Sequence, residues 1–409
     1  MRFCWAFYCM VIFSACHSSF KAQPAEQGVL VDKWVTCASQ SYYAGEWDDA
    51  VEASRAGLQI GRENASLKII AARLALARLE FNEAIQLTSS LEDSEAYGIR
   101  WRAHWFQGEI EQAADELEEY LKAPSSKDMW AKEISRLARK GIGRHPFTLK
   151  GDLVVGIDMP RAGSMVVVPC ELEGEQVFAV MATASSEVII DSSTRKESAW
   201  VNLRFGGRIE VQDVPAIAYD LSGISRQLGA PIRLLLGTHF LRRTHVTWDR
   251  SGDQFVIRKE APDFSLQAAR IPLWYADGGA MLLPGRFAAV QETGIVLSMD
   301  SLAPYSIAFE EEGWKMLSGS FSAQEANRPV SVLPSLALGT ARFSDIVVRQ
   351  GVPIPEIPTH LPSMRMIGMV GGGLFSTKRV TIGEEGRCLW IENGPFMEQG
   401  SNGMGLSSL

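Results

Sequence analysis

The residue best placed to do acid–base chemistry is Asp300. It closes an apolar run, Val296-Leu297-Ser298-Met299, and opens the turn Asp300-Ser301-Leu302-Ala303, after which Ile307-Ala308-Phe309 is apolar again. The same layout occurs earlier in the chain. There Gln176-Val177-Phe178-Ala179-Val180-Met181 enters Ala182-Thr183-Ala184-Ser185-Ser186 and leaves through Val188-Ile189-Ile190. With Met181 set against Met299, the hydroxyls of Thr183 and Ser301 coincide, and Ala182 stands where the other copy has its acid. A carboxylate at the end of an apolar strand is a candidate general base or acid. Alone it polarises water only weakly.

Other chemistries lack their residues. No Gly-x-Ser-x-Gly elbow nominates a serine nucleophile, and no Gly-Lys-Ser/Thr loop cradles a phosphate. The glycines from Gly368 to Gly373 have no strand-turn-helix unit around them, so they do not form a dinucleotide loop. His17, His104, His145, His239, His245 and His360 are scattered without metal-ligand spacing, and His239 and His245 suit ordinary packing or the surface. The chain calls for no cofactor and no metal.

Two kinds of text must position these turns. From Trp34 to about Pro124 the pattern is helical, and Gly45-Glu46-Trp47-Asp48-Asp49-Ala50 recurs thirty-four residues on as Leu79-Glu80-Phe81-Asn82-Glu83-Ala84, then as Gly108-Glu109-Ile110-Glu111-Gln112-Ala113. Glycine permits the turn between paired helices, the bulky residue plugs the hairpin, and the small alanine allows close packing. The period and pattern resemble a tetratricopeptide array of about three units, with Leu79 replacing the turn glycine. A helix from Lys127 to Lys140 would cap it. Such an array implies a docking groove or a spacer, and its tryptophans Trp34, Trp47, Trp101, Trp105 and Trp130 would line repeat interfaces or that groove. Gly141 to Pro146 ends the helical text, and the period beyond it is two. No long helix is expected after about residue 150.

The two turns resemble the active-site loops of retropepsin-like and pepsin-like aspartic peptidases, in which a strand delivers Asp-Thr-Gly into a tight turn. Leu234-Leu235-Leu236-Gly237 and Met366-Ile367-Gly368-Met369-Val370-Gly371 resemble the hydrophobic-glycine element beneath each loop. His245-Val246-Thr247-Trp248-Asp249 and Arg379-Val380-Thr381-Ile382 resemble the strands that follow. The likeness covers roughly residues 150 to 393 and implies an all-β domain of two lobes. It also implies that Ala182 occupies a catalytic position and that Thr183 and Ser301 staple the loops together. In that family two carboxylates about 3 Å apart share one proton, one serving as base and the other as acid. Losing the partner of Asp300 removes on the order of 10² to 10⁴ in rate from general-base loss alone. Ala184 and Leu302 replace the loop glycine, which puts normal geometry of the second turn in question. The resemblance therefore implies a peptide- or protein-binding or scaffold domain without peptidase activity. The alternative is an active aspartic endopeptidase using Asp300 in a non-standard dyad, or against its own copy in a dimer.

Arg2 precedes an uncharged apolar run from Phe3 to Ala15, the length of an export signal and short for a bilayer span. Phe13-Ser14-Ala15-Cys16 resembles a bacterial lipobox, which implies lipidation at Cys16; plain secretory cleavage nearby or an uncleaved anchor are the other readings. Of the remaining thiols, Cys37, Cys170 and Cys388 cannot all pair, and small buried side chains or a Cys170–Cys388 disulfide are both open. A formal net charge of -8 gives no basic face for nucleic acid. The whole reads as signal peptide 1–15, lipidated linker 16–33, helical repeats with capping helix 34–144, first lobe 148–262, second lobe 263–395 and a disordered tail 396–409. The expected setting is the bacterial cell envelope, membrane-anchored through lipid, with a protein or peptide partner.

Overall fold

The computed structural model describes residues 24–123, 128–263, 266–287, 295–318, 329–352 and 366–393. The signal segment, Cys16, His17, His360 and the tail 396–409 lie outside the described residues.

Seven helices come first: α1 (Pro24–Ala44), α2 (Trp47–Ile60), α3 (Ala65–Ala77), α4 (Phe81–Thr88), α5 (Ser94–Gln107), α6 (Ile110–Lys122) and α7 (Met129–Lys140). Helix α1 starts at Pro24, a residue suited to a first helical turn, so part of the expected linker 16–33 is helical. The turns at residues 45, 79 and 108 separate α1 from α2, α3 from α4 and α5 from α6. Gly45 and Gly108 take left-handed backbone, φ +79° and +89°, and Leu79 takes it too, at +62°. Ala50, Ala84 and Ala113 are fully buried where paired helices meet. The side chains of Asn64, Asp93 and Asp128 cap α3, α5 and α7 by accepting from first-turn amides.

Among the described residues twenty strands follow, with three short α-helices of six to eight residues. The first lobe holds β3 (Val167–Leu172), β4 (Glu175–Met181), β5 (Val188–Asp191), β6 (Ala199–Phe205), β7 (Ile209–Tyr219) and β8 (Ile232–Leu236). They pair in the closed order β6-β7-β5-β8-β4-β3, with β3 returning to β6. The second lobe holds β13 (Ala280–Phe287), β14 (Ile295–Asp300), β15 (Ile307–Phe309), β16 (Val330–Leu338), β17 (Ala341–Gln350) and β18 (Gly368–Gly371). Their order is β16-β17-β15-β18-β14-β13, closed by β13 on β16. Every pairing has its counterpart in the same direction: β4 with β8 and β14 with β18 are parallel, β5 with β7 and β15 with β17 are parallel, and the rest are antiparallel. The β domain is two copies of one six-stranded barrel.

A third sheet joins the copies. β2 (Val154–Asp158), β10 (Gln254–Arg258) and β9 (Thr247–Asp249) come from the first lobe, and β19 (Lys378–Gly383), β20 (Cys388–Asn393) and β11 (Ala269–Pro272) from the second, in the order β11-β20-β19-β9-β10-β2. Thr247 and Thr381 are register partners at its centre, and their hydroxyls bond at 2.8 Å. The two strands compared above as closing strands therefore pair with each other. β1 (Thr148–Gly151) extends the first barrel along β7, and β12 (Trp274–Ala276) the second along β13.

One apolar core runs through both barrels and the joining sheet. The helical region lies along it. Its first helices bury Trp47 and Leu74 with Trp274, Leu282 and Val296 of the second lobe, and its last helices bury Trp105, Leu117 and Ile134 with Ile217 of the first. Trp47 stacks on Trp274 at 4.4 Å, Trp105 meets Trp200 at 6.2 Å, and Trp130 meets Tyr219 at 6.5 Å. Part of the aromatic surface of the helices is thus buried against both lobes. Leu79 explains its own departure from glycine: its side chain joins the β-domain core. Burial worth about 2–3 kcal/mol offsets left-handed strain of about 1–2 kcal/mol.

Candidate functional site

The two turns meet where the lobes touch, and four hydrogen bonds tie them reciprocally. The Thr183 amide donates to Ser301 Oγ at 3.1 Å, and the Ser301 amide to Thr183 Oγ1 at 2.9 Å. Thr183 Oγ1 donates to the Met299 carbonyl at 3.0 Å, and Ser301 Oγ to the Met181 carbonyl at 2.6 Å. Each hydroxyl spans to the opposite turn both as donor and as acceptor, an arrangement only a β-hydroxyl residue can supply. All of these atoms are buried.

Beneath each turn a glycine is obligatory. A Cβ on Gly237 would sit 2.1 Å from the Glu187 carbonyl oxygen, and one on Gly371 would sit 2.2 Å from that of Tyr305. Strand backbone passes so close below the turn that no side chain fits. The copies differ by one residue in length. Met181 lies beside Leu236 and Ile189 beside Leu235, whereas Met299 lies beside Val370 and it is Ala308 that faces Met369, which makes the second turn one residue longer.

Ala182 heads the first turn, fully buried in an apolar cluster with Met165, Val180 and Leu235. Asp300 heads the second. Its Oδ1 accepts from the Leu302 amide at 3.0 Å, and 8% of its surface is exposed. Burial pushes its carboxyl above the usual range, partly countered by that amide, and no neighbouring carboxylate contributes. Among the described residues no second acid shares a proton with Asp300. Tyr305 is the titratable neighbour, its phenol raised by burial and by the Asp300 charge and donating to Met369 Sδ at 3.1 Å.

Leu302 does not distort the second turn. Its φ is not left-handed, so the position makes no demand for glycine, and its side chain packs into the first lobe's cluster that contains Ala182. The alternative of a dimer that sets Asp300 against its own copy bears on the same contacts. The face that the second turn would offer to another copy is covered by the first lobe of its own chain. Of the two readings of Cys170 and Cys388, the structure has buried side chains and no disulfide between them. Among the described residues no group of His, Cys, Asp and Glu could hold a metal ion.

No protein-family model matches the chain, and no curated protein matches it. Among solved structures it is similar to basic 7S globulin from soybean at 11% identity and a TM-score of 0.41, covering 61% of this chain and 96% of that one. A structure described as edgp is similar at 10% identity and a TM-score of 0.40, covering 61% and 95%. An Arabidopsis OM64 TPR domain is similar at 18% identity and a TM-score of 0.26, covering 28% and 98%.

A second polar cluster, absent from the sequence reading, lies at the junction of helices and lobes. Glu187, just past the first turn, is wholly buried, and Trp105 Nε1 donates to both of its carboxylate oxygens at 3.2 Å. Burial pushes its carboxyl up to about 7, moderated by bonds from Trp105 and Ser186 and by the Arg242 charge. His239, read from sequence as ordinary packing or surface, is buried between Phe106 and Phe147, ring centroids 5.2 and 4.6 Å away, and desolvation holds it well below its usual pKa. The sequence signal was a lone glutamate inside the apolar text after Ser186.

Proposed function

We propose that the chain is an envelope lipoprotein whose β domain keeps the frame of a bilobal aspartic peptidase without its chemistry, and serves to bind a peptide or protein. The observation that carries this reading is the reciprocal Thr183–Ser301 exchange. It makes the two turns equivalent halves of one site, so that Ala182 takes the place across from Asp300. A lone buried aspartate, raised by desolvation, is protonated over a wider pH range and has no second carboxylate to hand its proton to. The water-activating step then has a base or an acid, never both.

Support for a scaffold role comes from the helices. Read as tetratricopeptide-like units, they pack along both lobes rather than swinging free, so any partner meets helices and lobes as one surface. The lipid anchor at Cys16 would hold that surface at a membrane; no helix among the described residues is long and apolar enough to cross one. The test is proteolysis of an unstructured substrate such as casein from pH 3 to pH 7 by the purified chain and by Asp300→Asn. The expected result is no turnover by either. Cleavage by the unaltered chain that disappears in Asp300→Asn would overturn the reading. Labelling with palmitate, lost in Cys16→Ser, checks the anchor.

A further inference from the structure

Arg242 is the most conspicuous unused charge in the molecule. It sits on the short helix Thr238–Arg243, 6% exposed, and its Nε and Nη2 have no hydrogen-bond partner. Three rings surround its guanidinium, Tyr275 at 5.0 Å, Phe106 at 5.4 Å and Phe81 at 5.8 Å. Such faces attract the charge but leave its in-plane N–H donors unmet. Glu187 feels Arg242 electrostatically, yet the two form no ion pair, and the Glu187 oxygens take Trp105 instead. A buried guanidinium without a paired anion costs several kcal/mol, and such a group is a marker for a missing partner.

A cavity of about 820 Å³ opens between the helices and the β domain, and Arg242, Phe81 and Phe106 line it. Arg243 is also in its wall, its Nη2 held by the carbonyls of Phe106 and Gln107 at 2.9 and 2.7 Å. Acids line the cavity as well, and most are already paired: Glu80 with Arg78 at 2.5 Å, Glu109 with His104 at 2.6 Å and Glu385 with Arg387 at 3.4 Å. Glu83 has a long contact to Arg78, 3.9 Å, and its carboxyl is pushed up by burial and by the hydrogen bond and charge of Glu80 beside it. The cavity is therefore bipolar. Arg242 brings donors without a hydrogen-bond partner, and Glu80 and Glu83 are two carboxylates that share one arginine.

We propose that this cavity binds a small zwitterion with a free carboxylate, an amino acid or short peptide, the carboxylate meeting Arg242 and the ammonium meeting Glu80 and Glu83. Charge-assisted bonds to a guanidinium are about twice as strong as neutral ones, and a cavity this size suits a few residues. The site is separate from the turn of Asp300, and the proposal holds or fails without reference to peptidase chemistry.

Titration calorimetry of the full chain decides it, with trialanine, its C-terminal amide and its N-acetyl form as probes. Trialanine is expected to bind at millimolar concentration or below, the amide at least tenfold more weakly, and the acetylated peptide severalfold more weakly. Arg242→Met is expected to erase the preference for acid over amide, and Glu83→Gln to reduce the preference for free amine. No binding of trialanine at millimolar concentration, or equal binding of acid and amide, overturns the proposal, and this comparison on the unaltered chain stands even if Arg242→Met fails to fold.

Discussion

The two barrels share the order and directions of their six closing strands, and they differ at the residues that head their turns. In the first lobe the head of the turn is Ala182, and a buried acid lies past the turn at Glu187, engaged with Trp105 of the helical region. In the second the head of the turn is Asp300, bonded only within its own turn among the described residues. What both kept are the parts without which the lobes do not fit: Thr183 and Ser301 across the interface, and Gly237 and Gly371 beneath it. The features that fit the lobes together are the same on both sides, and the carboxylate at the head of the turn is on one side only.

That contrast can be broken most forcefully at the glycines. Gly237→Ala and Gly371→Ala each push a methyl into a backbone carbonyl, and each is expected to cost about 3 kcal/mol or more, read from urea unfolding. Equal losses would confirm that the lobes rely on the same close approach; a tolerated substitution on one side would show that side to be relaxed. Next in size is the relocated acid. Glu187 rises from an ordinary 4.5 to about 7 on folding, so the folded state binds the extra proton between those values and stability falls as pH increases across that window. The unaltered chain should lose on the order of 3 kcal/mol relative to Glu187→Gln from pH 4.5 to pH 7, with the full advantage present below 4.5. Parallel stability profiles for the two proteins would contradict it.

The staple comes third. Thr183→Val and Ser301→Ala each strand a buried amide and a buried carbonyl, a loss of about 2 kcal/mol apiece, and the double variant should lose less than the sum because both hydroxyls tie the same pair of turns, which part once either is gone. A strictly additive thermal-unfolding cycle would mean the two hydroxyls act independently. Smallest is Leu79→Gly, where relief of the left-handed backbone offsets much of the lost burial; a net destabilisation of about 1 kcal/mol is expected, and a gain in stability would show that the strain exceeds the packing.

Much of the frame could be read from local pattern. The turns at Gly45, Leu79 and Gly108, the strand before Ala182, the strand before Asp300 and the change of period near Pro146 are all set by neighbours close in sequence. What escaped was decided by distant partners. Thr247 and Thr381 give no hint of each other, being 134 positions apart. Glu187 acquires its character from Trp105, 82 positions away, and His239 from Phe106 and Phe147 on other elements. The extra residue in the second turn is fixed by register, with Ile189 opposite Leu235 in one lobe and Ala308 opposite Met369 in the other. Leu79 looked like a flaw in a repeat, and it is the place where the repeat enters another core.

The sheet shared by the lobes has a developmental consequence. Each half of the β domain supplies three strands that end, at β9 or β19, in an edge complete on one side only. A chain carrying a single barrel would expose that edge, and the surface most complementary to it is the same edge on another copy. Tandem fusion of two such halves turns a concentration-dependent encounter into an intramolecular one, which frees either half to change its turn without losing its companion.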